Sequence, residues 1–128
     1  MDAPEEYKLK YKNAKLNDDP AKNESLQRFG SFVTQLDTKI GGFIEALEKT
    51  GQRKNTLIVF TADHGDLLGS HGAWNKQQAY DESIRVPFLI HYPKAFGATG
   101  KKSKALLNSP DIMPTLLGLS GIKAPKSV

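Results

Sequence analysis

The strongest constraint in this sequence is a change of period. From Phe29 to Leu47 the apolar residues are Phe29, Phe32, Val33, Leu36, Ile40, Phe43, Ile44 and Leu47. Their steps of 3, 1, 3, 4, 3, 1 and 3 positions trace one face of an α-helix. From Thr56 to Thr61 the run TLIVFT is nearly continuous and rich in β-branched residues. That pattern suits a strand buried on both faces, as in a parallel sheet. Helix, short turn and buried strand make half of an α/β repeat. Asn23 or Ser25 is expected to cap the helix, and Gly51 to follow its end. Gly41-Gly42 costs about 1 kcal/mol per glycine relative to alanine, which close packing on another element would explain.

The remaining segments are placed around that pair. Residues 1–22 are polar, with Pro4 and Pro20 as breakers. They read as an irregular lead-in with at most one helical turn around Glu5–Tyr11. Residues 23–128 read as a partial α/β domain. Ala62–Asp81 is a loop with Gly65, Gly69 and Gly72, long enough to suggest a functional role. Val86–Tyr92 is expected to be a second strand, with Pro87 at its opening. Lys94–Lys102 reads as a loop and Ala105–Asn108 as a short third strand. Asp111–Leu119 reads as a helix, with Pro114 in its first turn and Gly121 ending it.

Several function classes are excluded or disfavoured. No apolar run approaches the roughly 18 residues a transmembrane helix needs. Met1–Lys22 lacks the apolar stretch of a signal peptide. The chain has no cysteine, so disulfides, thiolate metal sites and a cysteine nucleophile are excluded within these residues. The net charge of +4 is mildly basic, but Met1–Glu24 carries five lysines and six acids. The surplus is dispersed, and only Phe96 interleaves the cluster Lys94, Lys101, Lys102 and Lys104. A solvated loop describes that cluster better than a nucleic-acid site.

The chemistry concentrates in the long loop. It begins Thr61-Ala62-Asp63-His64-Gly65-Asp66, at the C-terminal end of the expected strand, where open α/β sheets place ligands. Asp63 offers a hard oxygen and His64 an imidazole nitrogen, two donors suited to a divalent cation. Gly65 lets the backbone turn away. The same residues also describe a loop in which Asp63 accepts backbone N–H bonds and His64 lies on the surface. His71 follows seven positions after His64, and Lys76 thirteen after Asp63. Lysine is a compact cation suited to a tetrahedral anion such as sulfate or phosphate. A cation site beside such a charge is what transfer of an anionic ester requires. Trp74 reads as a half-buried anchor, Asp66 as solvated polarity, with orientation of the loop or of His64 as the alternative, and His91 as a strand residue with no ligand role.

Asn55–Pro93, NTLIVFTADHGDLLGSHGAWNKQQAYDESIRVPFLIHYP, resembles the second conserved block of the sulfatases, in the alkaline phosphatase superfamily. The resemblance extends back to Asn23 and forward through SPDIMPTLL and LSGI to Pro125. It implies part of an alkaline-phosphatase-like sheet. It implies that Asp63 and His64 are metal ligands and that Lys76 contacts the sulfate group. His71 matches a frequent loop histidine and is a second candidate for sulfate contact. Glu82 and Arg85 match a structural pair ahead of the second strand. The cation implied is Ca²⁺, with Mn²⁺ or Mg²⁺ as alternatives. Two adjacent side chains cannot complete a Ca²⁺ shell of roughly 6–8 oxygens.

The family's C/S-x-P-S-R nucleophile motif, whose first residue becomes formylglycine, does not occur in these residues. The chain is therefore expected to be a sulfatase fragment with part of the metal and sulfate site, inactive alone. Its substrate class would be a sulfate ester. Phosphate or phosphonate ester hydrolysis is the alternative within the superfamily, and a non-catalytic anion- or partner-binding module the alternative outside it. The resemblance leans to an exported, periplasmic or lysosomal location. Apolar faces that upstream strands would cover are expected to make the fragment self-associate.

Overall fold

A computed structural model describes residues 2–97 and 99–125. Ala98, in the predicted Lys94–Lys102 loop, and the last three residues of the predicted 23–128 domain lie outside the described residues. The elements in chain order are helix α1 (Glu5–Lys8), helix α2 (Pro20–Lys49), strand β1 (Ile58–Thr61), helix α3 (Asp81–Ile84), strand β2 (Phe88–His91), helix α4 (Pro93–Phe96) and helix α5 (Ser109–Leu119). Short 3₁₀ turns lie at Arg53–Asn55 and Ser70–Gly72. No helix among the described residues is long and apolar enough to cross a membrane. The chain divides into two compact units, residues 1–53 with 60–89, and residues 54–59 with 90–128.

The first unit contains α1, α2 and the long loop. Helix α2 starts at Pro20, three residues before the predicted cap. Asp19 is the cap: its Oδ1 accepts from Ala21 N–H at 2.9 Å and Lys22 N–H at 3.3 Å. Pro20 opens the helix at N1, where the missing N–H has no intrahelical partner to lose. Asn23 instead reaches back, its Oδ1 accepting from Leu16 N–H at 2.6 Å and Asn17 N–H at 3.0 Å. At the other end Gly51 sits at φ +70° as expected. Gly51 N–H donates to Glu48 C=O at 3.0 Å and Gln52 N–H to Leu47 C=O at 2.9 Å, the paired bonds of a Schellman stop.

The lead-in packs on the first half of α2. Tyr7 and Ala3 are buried, and the Tyr11 hydroxyl meets Thr34 Oγ1 at 2.7 Å. A Cβ at Gly30 would lie 2.7 Å from the Tyr11 ring, so the tight approach on α2 is at Gly30. The predicted packing at Gly41-Gly42 is absent from the described residues, since a Cβ at either would meet nothing within 4 Å. Phe29, Val33, Leu36 and Phe43 of the predicted apolar face are exposed. Among the described residues the only buried apolar side chain outside the lead-in is Leu67, in the loop.

Strands β1 and β2 pair in a two-stranded antiparallel sheet, not the parallel arrangement that the apolar run suggested. Both are shorter than predicted, and β1 is half-buried rather than enclosed, with Thr61 exposed. In the second unit the predicted third strand at Ala105–Asn108 does not form, and the predicted 94–102 loop begins with the single turn α4. Helix α5 starts two residues earlier than predicted, with Asp111 Oδ2 accepting from Asn108 N–H at 2.8 Å. That shift puts Pro114 inside the helix, beyond its first turn, where it removes one main-chain bond. Gly121, at φ +74°, ends the helix as expected.

Candidate functional site

All the loop chemistry falls in the first unit, where the chain leaves β1. Asp63 is fixed by its own neighbour, its Oδ1 accepting His64 N–H at 3.0 Å. That leaves Oδ2 facing the imidazole, 3.4 Å from His64 Nε2. The other ring nitrogen, Nδ1, is 2.7 Å from Gly65 C=O. A carbonyl only accepts, so Nδ1 carries the proton and Nε2 presents its lone pair. The Lys76 ammonium donates to that lone pair. One carboxylate oxygen, one imidazole lone pair and one ammonium thus converge, although twelve residues separate His64 from Lys76. The side chains remain reachable: Asp63 is 85% exposed and His64 37%.

The loop's internal bonds explain how that separation is closed. Leu67, 1% exposed, is the apolar plug. Its N–H donates to Asn75 C=O at 2.8 Å, which brings the start and end of the loop together next to Lys76. Asp66 accepts Leu68 N–H at 2.8 Å, so it shapes the loop rather than being merely solvated. Leu68, His71 and Asn75 have φ of +48°, +55° and +68°. Left-handed backbone at non-glycine residues is uncommon and persists where surrounding contacts determine it. Trp74 is 42% exposed and lies against Gly69. With Asn75, Lys76, Gln77 and Gln78 it lines an open pocket of about 430 Å³.

His71 is engaged elsewhere on the loop. Its ring stacks on Tyr80, with centroids 3.9 Å apart and planes 11° from parallel. Its Nε2 lies 3.3 Å from Glu82 Oε1. Arg85 pairs with Asp81 at 3.2 Å. The expected structural pair of Glu82 and Arg85 is therefore divided between two different partners, because α3 is one turn long and presents Asp81 to Arg85 at i,i+4. His91 carries a buried Nε2 with no hydrogen-bond partner among the described residues.

Two features of the site were not readable from residue types. Gly65 is required by close approach: a Cβ there would collide with the Glu82 carbonyl oxygen. Ser83, 1% exposed, holds both ends of the loop. Its C=O accepts Gly65 N–H at 2.8 Å, and its Oγ–H donates to Lys76 C=O. A serine in DESI carries no periodic signal, so only the folded contacts distinguish it.

Among the described residues no group of three or more His, Cys, Asp or Glu is clustered to hold a metal ion. Asp63 and His64 could supply two adjacent donors, the His64 Nε2 lone pair here accepting from the Lys76 ammonium.

Comparison with known proteins extends this picture. The Sulfatase family model matches residues 1–122, including the lead-in that the motif resemblance had left out. An ulvan-active sulfatase of Formosa agariphila is 39% identical over 136 aligned residues, covering 98% of this chain and 27% of that protein. A solved Bacteroides thetaiotaomicron structure, described with a core genetic locus for metabolism of multiple glycosaminoglycans, superposes with a TM-score of 0.84 at 32% identity. It covers 94% of this chain and 26% of that one. Another, solved in complex with its substrate D-glucosamine-2-N,6-O-disulfate, superposes at 0.74 with 33% identity, covering 92% of this chain and 22% of that one. The chain thus spans about a quarter of the length of the relatives it matches. With the family model running through nearly the whole sequence, the chain belongs to the sulfatase family, within the alkaline phosphatase-like superfamily.

Proposed function

We propose that this chain supplies two metal ligands and one anion-binding cation to the active site of a sulfuric ester hydrolase. The observation that carries the reading is the meeting of Asp63 Oδ2, His64 Nε2 and the Lys76 ammonium on one loop. Asp63 and His64 would hold a divalent cation, Ca²⁺ with Mn²⁺ or Mg²⁺ as alternatives. When bound, that ion supplies Lewis-acid stabilisation of charge on the ester oxygens. Asp63 contributes the exposed Oδ2, and Gly65 C=O keeps the His64 lone pair outward. Lys76 neutralises charge on a sulfate oxygen, and the pocket beside it leaves room for the anion. His71, bound to Glu82 and Tyr80, shapes the loop.

Formylglycine would come from the rest of a complete sulfatase domain, since the nucleophile motif is absent from these residues. The chain alone is inactive on this reading. The relative bound to a disulfated glucosamine makes a sulfated sugar the first substrate class to try. The exposed apolar residues of α2 are covered by self-association when the chain is alone.

The test is titration of the labelled chain with MnCl₂, followed by NMR. Paramagnetic broadening centred on Asp63 and His64, and lost in Asp63→Asn, is expected. Broadening centred on His71 and Glu82 would overturn the assignment. Hydrolysis of an aryl sulfate by the chain, abolished by Asp63→Ala, would overturn its inactivity.

A further inference from the structure

Four hydrogen bonds around the loop close into a ring. Lys76 Nζ–H donates to His64 Nε2. His64 Nδ1–H donates to Gly65 C=O. Gly65 N–H donates to Ser83 C=O. Ser83 Oγ–H donates to Lys76 C=O and returns the circuit to its start. Every donor points the same way around the ring, so each bond tethers the next segment of the loop. Three members have other reasons to exist: two are the candidate ligand and cation, and Gly65 is the residue that close packing demands. Ser83 has none, and no side-chain role in binding is open to a hydroxyl buried to 1%.

We infer that Ser83 is a positioning residue that sets where the Lys76 ammonium sits relative to the His64 imidazole. Its carbonyl fixes the peptide after the histidine, and its hydroxyl fixes the peptide of the lysine. Without the hydroxyl the Lys76 carbonyl loses its tether, and the long lysine stem regains the rotamer freedom that the ring removes. The positional claim stands on the hydrogen bonds alone. Its consequence for anion binding rests on the function proposed above.

The experiment uses the labelled 128-residue chain, Ser83→Ala and Ser83→Thr. The readouts are the NOE between the His64 ring and the Lys76 Cε protons, the response of Lys76 to inorganic sulfate, and exchange protection of the Leu67 amide. Ser83→Ala is expected to lose the NOE and weaken the sulfate response at least fivefold while Leu67 stays protected. Ser83→Thr, which keeps the hydroxyl, is expected to retain both. An NOE that survives in Ser83→Ala overturns the inference. Should Ser83→Ala unfold the loop, the unsubstituted chain decides: a slowly exchanging Ser83 hydroxyl proton close to the Gln77 amide is expected, and a freely exchanging one overturns it. A parent chain that ignores sulfate, yet whose NOE depends on Ser83, removes the anion role of Lys76 and leaves the positioning intact.

Discussion

Asp63 Oδ2 lies 3.4 Å from His64 Nε2, and the Lys76 ammonium shares the same imidazole lone pair. On the proposed reading, a cation held by Asp63 and His64 would compete with the Lys76 ammonium for that lone pair. Replacing Lys76 with glutamine removes a like charge from contact distance. Such a charge is worth about 1 kcal/mol at 4 Å in a water-like medium and about 4 kcal/mol near a protein surface. His64 is partly exposed, so the lower part of that range applies. Mn²⁺ is expected to bind Lys76→Gln about tenfold more tightly than the parent in sulfate-free buffer, read from paramagnetic broadening at His64. Unchanged or weaker binding would separate Lys76 from the cation site.

Gly65→Ala is expected to break the loop. The added methyl collides with the Glu82 carbonyl, a backbone atom that cannot swing aside. Overpacking of this kind costs about 1–3 kcal/mol. Loss of the Gly65–Ser83 bond adds about 1 kcal/mol. Urea denaturation should show the loss, and the Leu67 amide should lose exchange protection. A chain as stable as the parent would mean the Glu82 backbone moves freely.

The glycine pair in α2 should behave in the opposite way. Gly41 and Gly42 face open space, so alanine meets no obstacle. Each substitution should stabilise the chain by about 1 kcal/mol through helix propensity. Thermal denaturation of Gly41→Ala and Gly42→Ala checks this, and a fall in melting temperature would reveal a contact against that face.

These outcomes separate what sequence reading could and could not reach. The α2 periodicity and its Gly51 stop were legible because each depends on local spacing, while Asp63, His64 and Lys76 stood out by residue chemistry and by their resemblance to a family motif. The capping residue was misplaced because Asp19, Asn23 and Ser25 are all capable caps, and only the route of the lead-in gives Asn23 its other partners. Burial of the apolar face was inferred from pattern, yet pattern does not say which polypeptide does the burying. Strand direction failed because a two-faced apolar run records enclosure, not orientation. Ser83 was invisible because its role lies in two hydrogen bonds to residues seven and eighteen positions away.

One acid response can be signed. Asp2 bridges Lys8 at 3.4 Å and Arg28 at 3.2 Å, which pins the lead-in to α2. The Lys8 hydrogen bond, then the charges of Lys8 and Arg28, hold its carboxyl below the usual carboxylate value. A depressed folded-state value means the contribution is complete above the unfolded value and is lost as pH falls through the folded one. Asp2→Asn should therefore lower the melting temperature slightly near neutrality and not at strongly acid pH, and salt should shrink the difference. Equal effects at both pH values would exclude the ion pair as the cause.

The exposed stripe of α2 leads to the last expectation. Val33, Leu36 and Phe43 are 49%, 52% and 55% exposed, on the face whose spacing marks it for burial. Fully burying one such side chain is worth about 1.5–3 kcal/mol. Three on one helix exceed what a solvated helix face normally presents. The chain spans about a quarter of the relatives it matches, so a complete domain offers other polypeptide to cover this stripe. In its absence a second copy is the nearest apolar surface at high concentration. Light scattering should detect dimers or larger species whose proportion rises with concentration. Val33→Lys and Phe43→Glu together should return the chain to a monomer without loss of helix by circular dichroism, because both side chains are about half exposed. A parent chain that stays monomeric at millimolar concentration would show that these side chains are too dispersed along the helix to form a cohesive patch.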